Sequence, residues 1–499
     1  MEAQIETEDD SLTEMSEETS VTIGDGMLDD ALLDSLIETQ IDSIVHYADT
    51  LSMTPEQRWV WHLQQNVETV IRRKHTMQVT TRVSKRSRRT VTRTIELPYT
   101  VGCCIYDLTA DSMVYTHNPD KMMTPASTQK LFVSISALST IGHDYDFRTE
   151  VRTDGNIVQD SLGHPYYKGD IYVCGGFDPT LRFSPIRQIA DSIKAMGADS
   201  IDGRIIAYVP QKQSLLSHHG WTWERIPAGE EHFITPLTFN KGMTSPDVPR
   251  EPVWTTIGRG RRARKVLTTP AFRSVRVRHP EQYFVASICK LLKVDSIAFS
   301  ANDPSYVMRN DTTIDLTKRP CITSIRTPLT TVLSTMMKRS DNFYAESMLL
   351  NLSNPWNRNS WTYDRCRQAV RDMVTRAEGR PDDYLIVDGS GLSHSNKTTA
   401  SLEIQILRYA FLYPEIYQPL YESLPIAGTD GTISKRMKSG NVFENVRAKT
   451  GTLNGVSALS GYVTASNGHE MAFSILVNNI SSQAIGHALQ DEICVQIAK

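Results

Sequence analysis

Ser127 and Lys130 stand three residues apart in the stretch Pro125-Ala126-Ser127-Thr128-Gln129-Lys130-Leu131-Phe132. On a helix that spacing puts a hydroxyl and an amine one turn apart on one face. A serine hydroxyl is too weakly acidic to attack an acyl carbon unaided, so it needs a base beside it. Lys130 can be that base only when neutral, and burial or a second cation pushes a lysine toward that form. A chain of this length holds roughly two Ser-x-x-Lys matches by chance, so the pair needs company.

Two further clusters supply it. Ser340-Asp341-Asn342 follows Lys338-Arg339, and Lys449-Thr450-Gly451-Thr452 sits in a strand-like stretch. Ser340 can relay a proton between the reacting centre and a leaving amine. Asn342 offers a carboxamide to a substrate peptide group, and Asp341 is expected to fix the loop. Lys449 is the expected second cation near Lys130. With the hydroxyls of Thr450 and Thr452 it suits a substrate carboxylate, as a point charge flanked by donors. Gly451 is expected to let a substrate backbone approach the strand edge, where a peptide would add as an extra strand. The N–H groups of Ser127 and Thr452 are the expected oxyanion hole. The dyad activates the nucleophile itself, so neither a metal nor an organic cofactor is expected.

The elements that must hold these residues are legible. Pro125 suits a first helical position, where its missing N–H costs nothing. Residues after it (Leu131, Phe132, Val133, Ile135, Ala137, Leu138, Ile141) are apolar on nearly every side, which predicts a buried helix with Ser127 at its mouth. Stretches 101–107 and 112–116 predict a hairpin just before it. Stretches 447–452, 457–464 and 471–478 predict an antiparallel meander, and meander and hairpin can share one sheet covered by helices from 326–425. Between them, 148–318 reads as separate α+β material, with strands at 171–174, 204–209 and 274–277 and helices at 184–197 and 281–294. The predicted organisation is a disordered acidic tail at 1–26, a catalytic domain from 27–147 and 319–499, and an inserted α+β unit at 148–318. An amphipathic helix is expected at 27–46, a second helix at 54–74 and a charged hairpin at 78–97.

Composition narrows the function classes. The 499 residues carry a net charge of −4 and 40% apolar content, which suits a globular chain with a sizeable core. Arg82, Lys85, Arg86, Arg88, Arg89 and Arg93 lack interleaved aromatics, so they read as a solvated strand face rather than a nucleic-acid site. Arg259, Arg261, Arg262, Arg264 and Lys265 read as a surface loop. No window approaches 18 uncharged apolar residues, so no transmembrane segment is expected. The first cation is Arg58, so no basic stretch followed by an apolar run, the mark of a secretory leader, opens the sequence. The seven cysteines (Cys103, Cys104, Cys174, Cys289, Cys321, Cys366 and Cys494) form no C-x-x-C pair, which argues against a zinc site. Adjacent Cys103 and Cys104 should face opposite sides of a strand as packed thiols.

Ser-x-x-Lys, Ser-Asp-Asn and Lys-Thr-Gly in this order are the signature of β-lactamases and penicillin-binding proteins. The chain resembles the class C low-molecular-mass penicillin-binding proteins, the DacB-like D-alanyl-D-alanine carboxypeptidase/endopeptidase family. Further segments resemble that family: the run from Lys130 to Val151, Gly175-Gly176-Phe177-Asp178-Pro179-Thr180-Leu181, Gly220-Trp221-Thr222-Trp223, Asp388-Gly389-Ser390-Gly391-Leu392-Ser393 and Leu424-Pro425-Ile426-Ala427-Gly428-Thr429-Asp430-Gly431-Thr432. The likeness covers roughly residues 100–499. Ser127 and Ser340 are 213 residues apart (340 − 127), and a large insertion at that place is characteristic of the family.

The resemblance implies a mixed α+β, penicillin-binding/β-lactamase-like transpeptidase fold, an antiparallel sheet flanked by helices plus the insertion. It implies a serine acyl-transfer hydrolase acting on peptidoglycan stem peptides, inhibited covalently by β-lactam antibiotics, in the periplasm or cell envelope. Relatives often carry a carboxylate two positions beyond the Trp-x-Trp stretch that binds the stem peptide's free amine. Here that position is Arg225, and Glu224 is the expected substitute. The other glycine-rich pieces, including 388–392, read as turn-forming frames. Two rivals stay open: a β-lactamase, although the chain has no Glu-x-x-Asn, and a non-catalytic peptidoglycan-binding protein.

Overall fold

The computed structural model describes residues 52–73, 76–82, 90–97, 99–209, 234–243, 253–257, 263–268, 277, 279–309, 314–353 and 362–499. The expected tail at 1–26, the helix at 27–46, most of both basic runs, the start of the strand at 274–277 and the stretch 220–225 with Glu224 lie outside them.

By compactness the chain divides between His62 and Leu63. In the first unit Thr54 opens the helix Pro55–Arg72. Thr54 N donates to Gln57 Oε1 (3.0 Å) and Gln57 N to Thr54 Oγ1 (3.2 Å), a reciprocal cap that satisfies two donors of the helix start.

In the second unit the ribbon Thr76–Arg82 and Thr90–Glu96 is the expected hairpin. The main sheet runs in the order Arg447–Leu453, Val456–Thr464, Glu470–Asn478, Thr100–Asp107, Ser112–His117, antiparallel throughout. Meander and hairpin therefore do form one sheet. Its inner strand Val456–Thr464 is buried from Val456 to Val463, because helices lie on both faces. Gln483–Ala498 packs against it, and Ala400–Leu412 packs against its neighbours. Two serines, Ser457 and Ser460, interrupt its apolar residues and are buried with them. Cys103 and Cys104 are both fully buried. Burial holds both thiols in the protonated form, Cys104 at about 12, which suits inert packing.

The helix Gln129–Thr140 is buried from Gln129 through Leu138. It runs through one large apolar cluster with Asn342–Asn351, Tyr363–Arg376 and Ala400–Leu412. Its all-round apolar sequence follows from that position.

A second sheet occupies the middle of the chain, in the order Ser305–Arg309, Ile205–Val209, Ile171–Cys174, Asp146–Thr153, Cys321–Pro328. Its first three strands are parallel, an arrangement the sequence did not suggest. Parallel pairing needs crossovers, and the chain between these strands contains the helices Phe183–Lys194 and Pro280–Val294, which pack together in a separate apolar cluster.

Candidate active site

The nucleophile turn differs in one detail from expectation. Pro125 is not inside the α-helix. It caps a single 3-10 turn, Ala126–Thr128, and the α-helix starts at Gln129. Ala126 has φ +50°, a left-handed conformation that a non-glycine residue adopts only under support. Thr128 Oγ1 donates to Pro125 O at 2.9 Å, which closes the turn. From below, Glu403 Oε1 lies 2.6 Å from the same Oγ1, whose single proton is shared between the two oxygens.

This turn aims Ser127 at Lys130. Oγ and Nζ are 2.8 Å apart. Lys130 is fully buried, and its amine donates to Asn342 Oδ1 (2.8 Å) and to the Ser390 carbonyl (2.6 Å). Ser127 Oγ also lies 3.4 Å from that carbonyl. A neutral amine has two N–H groups and one lone pair, so these two acceptors can take both protons and leave the lone pair for the Ser127 hydroxyl.

Ser340 ends the helix Leu329–Arg339 in a left-handed conformation, φ +55°. Asp341 then caps Asn342–Asn351, accepting from Tyr344 N at 3.3 Å, and forms an ion pair with Lys241. Asp341 is thus a loop-fixing residue, and Asn342 begins a helix whose start it holds.

Lys449 lies on Arg447–Leu453, the outermost strand of the main sheet. Its amine donates to Ser340 Oγ (2.8 Å) and Thr450 O (2.7 Å). Burial first, and then the charge of Lys130, hold Lys449 well below its ordinary 10.5. Thr450 Oγ1 donates to Thr432 Oγ1 at 2.7 Å, and Thr452 is exposed two residues further on. Ile426 and Pro425 cover the strand edge at Arg447 and Ala448.

Gly451 has a reason different from the expected one. A Cβ there would sit 2.4 Å from Pro125 O and 3.2 Å from Ala126 Cβ, so the glycine lets this strand press against the protein's own nucleophile turn.

The structure thus joins Ser127, Lys130 and Asn342 in one hydrogen-bonded group and Ser340 and Lys449 in another, the two lysines near enough to repel each other, with Thr450 and Gly451 beside Lys449 on its strand. Glu224 lies outside the described residues. Sequence reasoning missed the Ser390 carbonyl. A backbone acceptor leaves no residue-type signature, and the only available signal was the glycine pattern of 388–392.

The chain matches the family model described as D-Ala-D-Ala carboxypeptidase 3 (S13) over residues 94–258 and 259–499. It is 28% identical over 446 residues to a D-alanyl-D-alanine carboxypeptidase of Actinomadura sp., covering 80% of this chain and 81% of that protein. It is 25% identical over 421 residues to the D-alanyl-D-alanine carboxypeptidase DacB of Haemophilus influenzae, covering 77% and 86%. The crystal structure of penicillin binding protein 4 (dacB) from Haemophilus influenzae shares the fold, with a TM-score of 0.65, 21% identity and coverage of 80% of this chain and 97% of that one. The same protein complexed with a novel β-lactam gives a TM-score of 0.61 at 21% identity, covering 80% and 96%.

Proposed function

The chain belongs to the D-Ala-D-Ala carboxypeptidase 3 (S13) family, and from that premise we propose that it cleaves peptidoglycan stem peptides through an acyl-enzyme on Ser127. The observation that carries the reading is the 2.8 Å contact between Ser127 Oγ and the fully buried Lys130 amine. Lys130 takes the hydroxyl proton, and Ser127 Oγ bonds to the carbonyl carbon of the penultimate D-Ala. The N–H groups of Ser127 and Thr452 receive the oxyanion. The C–N bond breaks as the proton held by Lys130 is relayed through Ser340, which Lys449 holds in place, to the leaving amine. Water then gives a proton to Lys130 as its oxygen bonds to the ester carbon, and collapse passes that proton from Lys130 back to Ser127 Oγ.

Lys449, Thr450 and Thr452 are the proposed cradle for the terminal carboxylate, and Asn342 the partner of the substrate amide. The strand beyond Ala448 is the proposed docking edge for the peptide. Glu224, one residue before the motif position that Arg225 occupies, is the proposed partner of the stem's free amine. β-Lactams acylate the same serine, in keeping with the β-lactam complex of the Haemophilus structure. The substrate places the protein in the cell envelope, at the periplasmic or outer wall face.

Digestion of defined muropeptides, read by mass spectrometry, tests the reading. Pentapeptide should lose one D-Ala, and cross-linked dimers should split if the leaving amine can be a second stem. Intact pentapeptide after prolonged incubation with folded protein would contradict it and leave a wall-binding role.

A further inference from the structure

The stretch 388–392 reads from sequence as a turn frame, and the structure gives that frame an object. We infer that Glu346 and Asp388 are positioning residues for acylation, two buried carboxyls that grip the backbone of Gly389 to Gly391 and aim the Ser390 carbonyl at Lys130 and Ser127. This rests on the Ser127–Lys130 reading above.

The grip is complete around one peptide group. The peptide between Ser390 and Gly391 presents its carbonyl to Lys130 Nζ at 2.6 Å. Its other end, Gly391 N–H, donates to Asp388 Oδ1 at 2.6 Å. The two preceding N–H groups both go to Glu346: Gly389 N to Oε2 at 3.1 Å and Ser390 N to Oε1 at 2.8 Å. Asp388 Oδ2 accepts from Ser393 N at 2.8 Å, and Asn396 Nδ2 donates to Oδ1 at 3.0 Å. Glu346, Asp388 and Ser390 are at most 2% exposed, so water cannot replace a lost contact.

Glu346 lies four residues after Asn342, hence on the same helix face. One face of Asn342–Asn351 therefore supplies Lys130 with one acceptor directly and fixes the loop that supplies the other. The loop also bears on the nucleophile turn itself. Gly391 has φ +79°, and a Cβ there would sit 1.8 Å from Ala126 O. A shift of this backbone reaches both members of the dyad. Burial, reinforced by the charge of Asp388, pushes Glu346 up to about 8. Two carboxyls packed this way oppose each other electrostatically, a cost that apolar packing would avoid.

The test is the time course of acylation by fluorescent penicillin in the full chain, Glu346→Gln and Asp388→Asn, resolved into the first-order constant k2 and the pre-acylation dissociation constant K. In Glu346→Gln an amide nitrogen faces a backbone N–H and cannot accept from it. We expect k2 to fall about tenfold to hundredfold, the scale of a misplaced reacting group, with K unchanged, because Lys449 and Thr450 are untouched. A first-order constant does not depend on how much of a preparation is folded, so a partly folded variant still reports. Asp388→Asn carries the test where Glu346→Gln yields no folded protein. If the unaltered chain takes no penicillin on Ser127, the proposed function itself fails. If it is acylated and both variants keep its k2, or lose affinity in K alone, the positioning role is overturned and the function stands.

Discussion

At the residue scale, everything turns on where protons sit among three polar groups. A neutral Lys130 accepts one hydrogen bond and donates two, and Ser127, Asn342 and the Ser390 carbonyl stand where those roles can be filled. Replacing Lys130 by Met keeps the bulk and removes the base. Acylation by penicillin should slow by about 10²–10⁴-fold, the usual worth of a positioned base. Lys449 disfavours a second positive charge nearby, and the repulsion acts in both directions. In Lys449→Met the acid limb of the acylation profile should therefore move to higher pH, since a proton on Lys130 is no longer opposed. An unmoved limb in stopped-flow measurements would contradict the coupling. Ser127, Lys130, Ser340, Asn342 and Lys449 were legible in the sequence because each motif sits in a recognisable local context. Gly451 was legible as a position but not as a reason, because its neighbour Pro125 O is more than three hundred residues away in the chain.

At the scale of elements, the site is a meeting of two turns, two helix starts and one edge strand. The left-handed Ala126 is pinned between Gly391 and Gly451, and neither glycine has room for a Cβ. Gly391→Ala combines positive φ with a backbone clash and should cost about 1–3 kcal/mol, seen as a lower urea midpoint, and should slow acylation as well. Beneath the turn, Glu403 joins three elements. It accepts from Thr128 on the turn, from Ser460 on one strand, and from Ser474 on the next at 2.8 Å. Its neighbours are hydroxyls, which can reverse their direction. Glu403→Gln should therefore be tolerated, whereas Glu403→Ala removes the partner that three buried hydroxyls share and should cost about 1–3 kcal/mol. Equal melting temperatures for the two variants would contradict this. The strands and helices of this region followed from hydrophobic periodicity. The 3-10 turn did not, because a one-turn change of helix type leaves the spacing of Ser127 and Lys130 almost the same.

At the scale of the whole molecule, burying these groups makes stability depend on pH. Glu346 is held at about 8 against an ordinary 4.5, so the folded chain keeps a proton that the unfolded chain releases. Its contribution is full below about 4.5 and is lost as pH rises through about 8. Lys449 has the opposite sense: burial makes its proton easier to lose in the fold than in the unfolded chain, so its contribution grows as pH rises toward 10.5. Glu346→Gln should therefore flatten the fall in melting temperature between pH 5 and pH 8 relative to the unaltered chain, and an unchanged slope would contradict a raised Glu346. The α+β fold class was readable from motif order and strand spacing. The parallel pairing of Ile171–Cys174, Ile205–Val209 and Ser305–Arg309 was not, because short buried strands carry no mark of their partners. The Glu346–Asp388 grip was hidden for the same reason, since a carboxylate binding backbone N–H groups looks in sequence like any turn residue. The central claim, a serine made nucleophilic by a buried neutral amine, is tested most directly by labelling the folded chain with fluorescent penicillin and mapping the adduct by mass spectrometry. The account predicts one covalent adduct, on the peptide carrying Ser127 and absent in Ser127→Ala. No adduct in folded protein, or an adduct on another residue, would contradict it.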